Sequence, residues 1–408
     1  MKHVIIGASA AGINAAKTLR DIDPKCEIVV ISKDVNVYSR CMLHHYISGD
    51  RDLNTLSFVE SDFFEANKIT WLKGLEVKNI KADKKMLVLS NWDTISYDTL
   101  LIASGASASI PPIKNLREAN NVYPLRNIED AVGISKNCKA QDNVVIIGAG
   151  LVGIDAAVGL IKKKVNIHLV EMADRILPLQ LDKEASLRYE KLLEAKNVTL
   201  HLSASAKEVV INDNGEATGV VLNDNELIPC SLIVVAAGVK PNIDFLGDSG
   251  VRCERGILID KYCKTNVQDI YAAGDVTALS PIWPVAVRQG KSAALNMAGI
   301  ETICEDNFAY LNSMNFLGLQ AASIGIANAP DDSYIVDIFK TDKVYKKIIQ
   351  KDGLIHGALL VGEISYCGVM THLIKNKINI SKINKSVFDL TFADFYGIKE
   401  NGEYMYNI

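Results

Sequence analysis

The eight cysteines of this 408-residue chain stand alone, at positions 26, 41, 138, 230, 253, 263, 304 and 367, with no C-x-x-C and no close pair. That spacing excludes a disulfide framework, a zinc site, a chain-borne iron–sulfur cluster and a two-cysteine redox motif. An excess of one charge is also lacking. With 44 basic against 48 acidic residues and a formal charge of -4, nothing points to nucleic acid or an anionic membrane as partner. No run of about 20 apolar residues occurs, and the chain enters its first strand without the cationic and apolar regions of a signal peptide. A soluble cytoplasmic protein is expected. At ~150 residues per domain the length provides for two or three domains with sizeable cores.

What the chain does have is a unit that occurs twice. Val4 to Ala16, VIIGASAAGINAA, runs from a short apolar strand through a small-residue turn into a helix. Gly7, Ser9 and Gly12 take the three positions of a G-x-G-x-x-G dinucleotide turn, with Ser9 where the second glycine is usual. Small residues there, with Ala10 and Ala11 opening the helix, let the backbone approach a pyrophosphate that the free N–H groups and positive dipole end of the helix would hold. Alone, this imperfect match also fits a tight strand-to-helix connection. Val144 to Ala157, VVIIGAGLVGIDAA, repeats the pattern with all three glycines, Gly148, Gly150 and Gly153, and with Leu151 and Val152 at the helix start. Two units suggest two dinucleotides. The second is followed by a strand, Val165 to Val170, that ends at Glu171, close to the ~20-residue offset of an acid that binds the adenosine ribose hydroxyls. A carboxylate there repels a 2′-phosphate and favours NADH, although Arg175 four residues on keeps NADPH open.

The repeat extends to whole domains. Glu27 to Ile31 reads as the second parallel strand of the first domain, and Ile69 to Ile102 as several short strands closing on Ala103-Ser104-Gly105. Pro111 and Pro112 mark a hinge. After the second glycine turn, a strand-rich stretch from Val198 to Ile228 closes on Ala236-Ala237-Gly238, echoing the first domain. Gly256 to Val276 then returns to the first domain, with a strand from Ile270 to Ala273 delivering Gly274 and Asp275, and a helix from Pro284 to Ala298. The expected fold is α/β, with two Rossmann-like domains, each with a parallel sheet and a β-meander. Residues 1–110 and 246–307 form the first, 111–245 the second, and 308–408 a small C-terminal α/β domain.

Gly7 to Gly12, Ala103 to Gly105, Gly148 to Gly153, Glu171, Ala236 to Gly238 and Tyr271 to Asp275 together resemble the pyridine-nucleotide–disulfide oxidoreductase superfamily over nearly the whole chain. YSRCMLHHYISGD (Tyr38 to Asp50) and KKIIQKDGLIHGALLVG look most like the NADH:rubredoxin oxidoreductases and the flavin half of assimilatory nitrite reductase large subunits. The resemblance implies that the first domain holds FAD and the second NAD(H), and that electrons pass from NADH through FAD to a separate iron–sulfur protein or subunit. It places Gly274 and Asp275 at the flavin ribityl chain and the helix start near Val285 at the flavin N1/O2 edge. Where flavin domains carry an acid for the adenosine ribose, this chain has Ser32-Lys33-Asp34, a departure from the pattern.

CMLHHYISG also has the spacing around the single redox cysteine of coenzyme A disulfide reductases, NADH oxidases and NADH peroxidases, which puts Cys41 in that position. Beside Arg40 and a helix start its thiol would have a lowered pKa. Ala10 stands where the oxidases and peroxidases carry a histidine, and the C-terminal His–Glu dyad of the disulfide reductases has no counterpart. Cys41 then reads either as a flavin-adjacent thiol for a coenzyme A disulfide or persulfide, or as a small apolar residue. His45 and Asp155 stand where many members place a Lys–Glu pair at flavin N5, and are expected to make flavin reduction sensitive to pH; the alternative is a solvated histidine and a surface acid. His44 reads as structural and Lys162 to Lys164 as cations at a helix end. The aromatic tail, Phe392, Phe395, Tyr396, Tyr404 and Tyr406, reads as packing or a subunit contact, which leaves a homodimer open. A non-catalytic FAD- and NAD(H)-binding sensor is a third reading.

Overall fold

The computed structural model describes residues 1–304 and 311–406, without the side chains of 404–406. The chain divides into two compact units, one of Met1–Pro111, Tyr123–Asn137 and Ala237–Phe308, the other of Pro112–Val122, Cys138–Ala236 and Ala309–Ile408.

In the first unit five parallel strands lie in the order Ile270–Ala272, Thr99–Ile102, Lys2–Ile6, Glu27–Ser32 and Thr70–Lys73. Their near-continuous apolar runs follow from burial on both faces. On one face, Ala15, Ala16 and Leu19 of the helix Ala10–Ile22 share a core with Ala293, Ala294 and Met297 of the helix Trp283–Met297. On the other, Val4, Val29 and Leu100 meet Ile80, Leu87 and Leu89 of a three-stranded antiparallel meander, Val77–Lys81, Met86–Leu89 and Thr94–Ser96. The helix expected from Pro284 starts at Trp283, which leaves the proline in the first turn, where its missing N–H has no intrahelical partner to lose.

In the second unit parallel strands run in the order Val198–His201, Asn166–Val170, Asn143–Ile147 and Leu232–Val235, with a meander of Ala206–Ile211, Ala217–Leu222 and Leu227–Pro229. The same unit contains a five-stranded antiparallel sheet in the order Leu311–Phe316, Leu319–Gly325, Leu354–Val361, Tyr345–Lys351 and Ile335–Lys340. Val369, Met370, Leu373 and Ile374 of the helix Cys367–Lys375 pack onto Ile324, Ile348 and Ile355, and Phe395 of the aromatic tail joins that core. This sheet is fastened to the helix Lys183–Glu194. The capping carboxylate of Asp182 accepts from the Ala185 N–H (3.0 Å), the Tyr345 hydroxyl (2.6 Å) and Lys347 Nζ (2.9 Å), and Tyr189 donates its hydroxyl to the Leu319 carbonyl at 2.9 Å. No helix among the described residues is long and apolar enough to cross a membrane.

Candidate functional site

In the first glycine turn the chain leaves its central strand at Gly7, whose N–H reaches the Ile31 carbonyl at 2.7 Å and whose φ is +111°. A Cβ at Gly12 would lie 1.9 Å from the Gly7 carbonyl oxygen, so the helix can dock here only without one. The first intrahelical bond runs from Ile13 to Ser9, and no side chain caps the helix. The N–H groups of Ala10, Ala11 and Gly12 are thus the uncapped donors of a helix N-terminus, the arrangement that takes a pyrophosphate. The Ala103 N–H bonds to the Ile6 carbonyl at 2.8 Å, and Asn242 fastens the turn that follows, its N–H on Gly105 O (3.0 Å) and its side-chain amide on Ser104 O (2.9 Å).

Polar groups around this turn are already committed within the protein. The Ser32 hydroxyl donates to the Asp34 carbonyl (2.7 Å) and accepts from Trp71 Nε1 (2.8 Å). Lys33 is exposed and faces Glu76 at 3.4 Å. The Asp34 carboxylate pairs with Arg40 at 2.6 Å and accepts the Tyr38 hydroxyl at 3.4 Å. Arg40 is thus held by Asp34, one residue before Cys41. Asp275 forms a second such pair, with Arg126 at 2.6 Å, and Arg126 Nε also donates to the Ala106 carbonyl at 2.9 Å. Sequence reasoning missed Arg126, because its partner lies 149 positions away. Gly274, at φ +82°, gives its N–H to the buried Gln289 amide at 2.7 Å, and Val285 is buried in the uncapped first turn of its helix.

Cys41 lies in a short 3₁₀ turn, Arg40–Met42, and is exposed, whereas the other cysteines are buried or half-buried. Burial and the neighbouring His45 push the His44 pKa down to about 4, so that its ring is neutral near pH 7. His45 Nδ1 lies 3.6 Å from the Asp50 carboxylate.

The second glycine turn reproduces the first. Gly148 has φ +103°, its N–H meets the Val170 carbonyl at 2.8 Å, and a Cβ at Gly153 would lie 1.9 Å from the Gly148 oxygen. A Cβ at Gly150 would have nothing within 4 Å, so the turn presents open space beside the uncapped N–H groups of Leu151, Val152 and Gly153. The Glu171 carboxylate accepts from Ala149 N (2.7 Å) and Ala173 N (2.9 Å), which fixes an acid at the end of the strand. Ala237 and Gly238 are exposed at the closing turn. Asp155 is half-buried on the helix, and loss of water around its carboxyl raises its pKa to about 7. His45 and Asp155 belong to different units.

Two strand–turn–helix units with the same hydrogen-bonding and the same uncapped donors fit two dinucleotides. Residues 1–290 match the pyridine nucleotide-disulphide oxidoreductase family. The chain belongs to that family. Residues 311–378 match the C-terminal domain of rubredoxin NAD⁺ reductases. As a family member the chain is an FAD-dependent NADH oxidoreductase, with FAD and NAD(H) as its cofactors. It is 29% identical over 395 residues to subunit epsilon of the NADH-dependent phenylglyoxylate dehydrogenase of Aromatoleum evansii, covering 94% of this chain and 93% of that one. It is 27% identical to the nitrite reductase [NAD(P)H] of Bacillus subtilis over 94% of this chain, but spans only about half, 48%, of that protein's length. The crystal structure of NADH:rubredoxin oxidoreductase from Clostridium acetobutylicum superposes with a TM-score of 0.79 at 26% identity, over 94% of this chain and 97% of that one.

Proposed function

We propose that this oxidoreductase delivers electrons from NADH to a separate iron–sulfur protein, a rubredoxin- or ferredoxin-like carrier or the iron–sulfur subunit of a larger complex. The observation that carries this reading is the end-to-end likeness, C-terminal module included, to an NADH:rubredoxin oxidoreductase. Bound FAD supplies the chemistry, since it accepts hydride and can release electrons singly.

The residues divide the work as follows. In the first unit the N–H groups of Ala10, Ala11 and Gly12 hold the FAD pyrophosphate, and Asp275, paired with Arg126 at 2.6 Å, accepts a hydrogen bond from the ribityl chain. The uncapped helix start at Val285 offers positive potential to the flavin edge that becomes anionic. In the second unit Leu151, Val152 and Gly153 hold the NADH pyrophosphate, and Glu171 accepts from the adenosine ribose. His45 and Asp155 serve at hydride transfer, a role supported on the Asp155 side by its carboxyl, which burial brings to the pH at which it can hold or release a proton.

Anaerobic titration of the FAD-loaded protein with NADH, followed by the flavin spectrum, tests the reading. A single equivalent should bleach the flavin without a long-wavelength charge-transfer band, and the reduced protein should then reduce an added rubredoxin or ferredoxin. The exposure of Cys41 supports a second reading, reduction of a coenzyme A disulfide or persulfide. If a second equivalent is needed and the band appears, and Cys41→Ser abolishes both, that reading replaces the first.

A further inference from the structure

Arg175, four residues beyond the ribose acid, is the cation that the sequence places to meet a 2′-phosphate at the second glycine turn, yet its guanidinium is folded back on its own loop. It pairs with Asp174 at 2.6 Å, and it donates to two backbone carbonyls, Leu181 at 3.2 Å and Pro178 at 3.3 Å. Within the loop so clamped, Leu177 is held at φ +50°, a left-handed conformation that a branched residue keeps only when its surroundings impose it. Its N–H reaches the Ala149 carbonyl at 2.9 Å, and Ala149 is the turn residue whose own N–H is taken by Glu171. Ile176, Leu177 and Leu181 are fully buried around this clamp. One guanidinium thus holds a loop that holds the glycine turn from its carbonyl side, while the acid holds it from its N–H side.

We propose that Arg175 is a positioning residue for the second glycine turn and, by the same bonds, is withheld from a 2′-phosphate. Selectivity for the unphosphorylated ribose then survives neutralisation of Glu171, because the Arg175 guanidinium is already bonded within its own loop. The proposal rests on the reading of Gly148–Gly153 and Glu171 as the NADH site.

The test is calorimetric binding of 5′-AMP and 2′,5′-ADP to the FAD-loaded protein, with steady-state kinetics alongside. Arg175→Met should weaken 5′-AMP and raise the KM for NADH by about tenfold with kcat unchanged, the loss expected when charge-assisted bonds to a turn-forming loop are removed. Arg175→Lys, a cation without the planar fork, should recover only part of that loss. Glu171→Gln should leave 2′,5′-ADP binding within about threefold of wild type, less than one charge-assisted hydrogen bond to a phosphate is worth. The proposal is overturned if Arg175→Met binds 5′-AMP as wild type does, or if Glu171→Gln binds 2′,5′-ADP about tenfold more tightly, since Arg175 is then free to reach it. Should Arg175→Met fail to fold, wild-type 5′-AMP affinity in Arg175→Lys overturns it equally. A Glu171→Gln protein with unchanged 5′-AMP affinity removes the ribose role of Glu171 and leaves the Arg175 variants to decide the rest.

Discussion

The two glycine turns share a backbone and differ in what is hung on it. GASAAGINAA and GAGLVGIDAA align residue for residue. In each, the first glycine has a left-handed φ (+111° and +103°), and a Cβ at the third would stand 1.9 Å from the first glycine's carbonyl oxygen. Where they differ, the first has Ser9, Asn14 and no acid free at the strand end; the second has Gly150, Asp155 and Glu171. The two turns therefore present the same backbone donors, and differ in the side chains set around them.

The largest effect should come from breaking each cradle separately. Gly12→Ala or Gly153→Ala forces a carbonyl and a methyl apart at a cost of about 3 kcal/mol or more. Gly12→Ala should purify without FAD, whereas Gly153→Ala should keep its flavin spectrum and lose 5′-AMP binding; a flavin-replete Gly12→Ala protein would mean that the first turn does not hold FAD. Next comes Arg126→Met, which leaves the Asp275 carboxylate without its partner and should cost about 2 kcal/mol of FAD affinity. Asp275→Asn in that background removes the stranded charge, so FAD retention measured by ultrafiltration should partly recover. If the double variant is no better than the single, the pair is not coupled.

Asp155→Asn gives the second helix the residue that the first has at Asn14. Burial raises the Asp155 pKa from 3.8 to about 7, so the folded state binds the proton more tightly than the unfolded state. The wild type should lose stability relative to the variant as pH rises from about 4 through about 7, with no further change above. Melting temperatures across that window check the sign, and parallel curves refute it. The step near neutrality in the rate of flavin reduction by NADH should vanish in the variant. Smallest is Gly150→Ser, which copies Ser9 into open space. Folding should be unchanged, and NADH affinity should fall by about threefold, of the order of a weakened hydrogen bond.

Much of the fold could be read in advance because it is written in local runs. The parallel strands are unbroken apolar stretches, and the turns are small residues at fixed offsets. The site was less legible where it depends on side chains far apart in sequence. Nothing around Arg126 announces Asp275, and nothing in Ser32-Lys33-Asp34 says that Trp71 and Arg40 occupy the groups expected to face a ribose. Arg175 is a similar case, since its charge is visible in the sequence and the carbonyls it bonds are not.

The joint at Asp182 also limits how the protein can be cut or recombined. Its carboxylate is satisfied by a helix N–H from its own neighbourhood and by Tyr345 and Lys347 from the C-terminal sheet. A chain ended before that sheet would leave an anion at the cap and the Tyr189 hydroxyl without its carbonyl, both facing an uncovered apolar surface. The C-terminal module is thus not a detachable cassette. Chimaeras that exchange it between relatives should succeed only when the Asp182 helix travels with it.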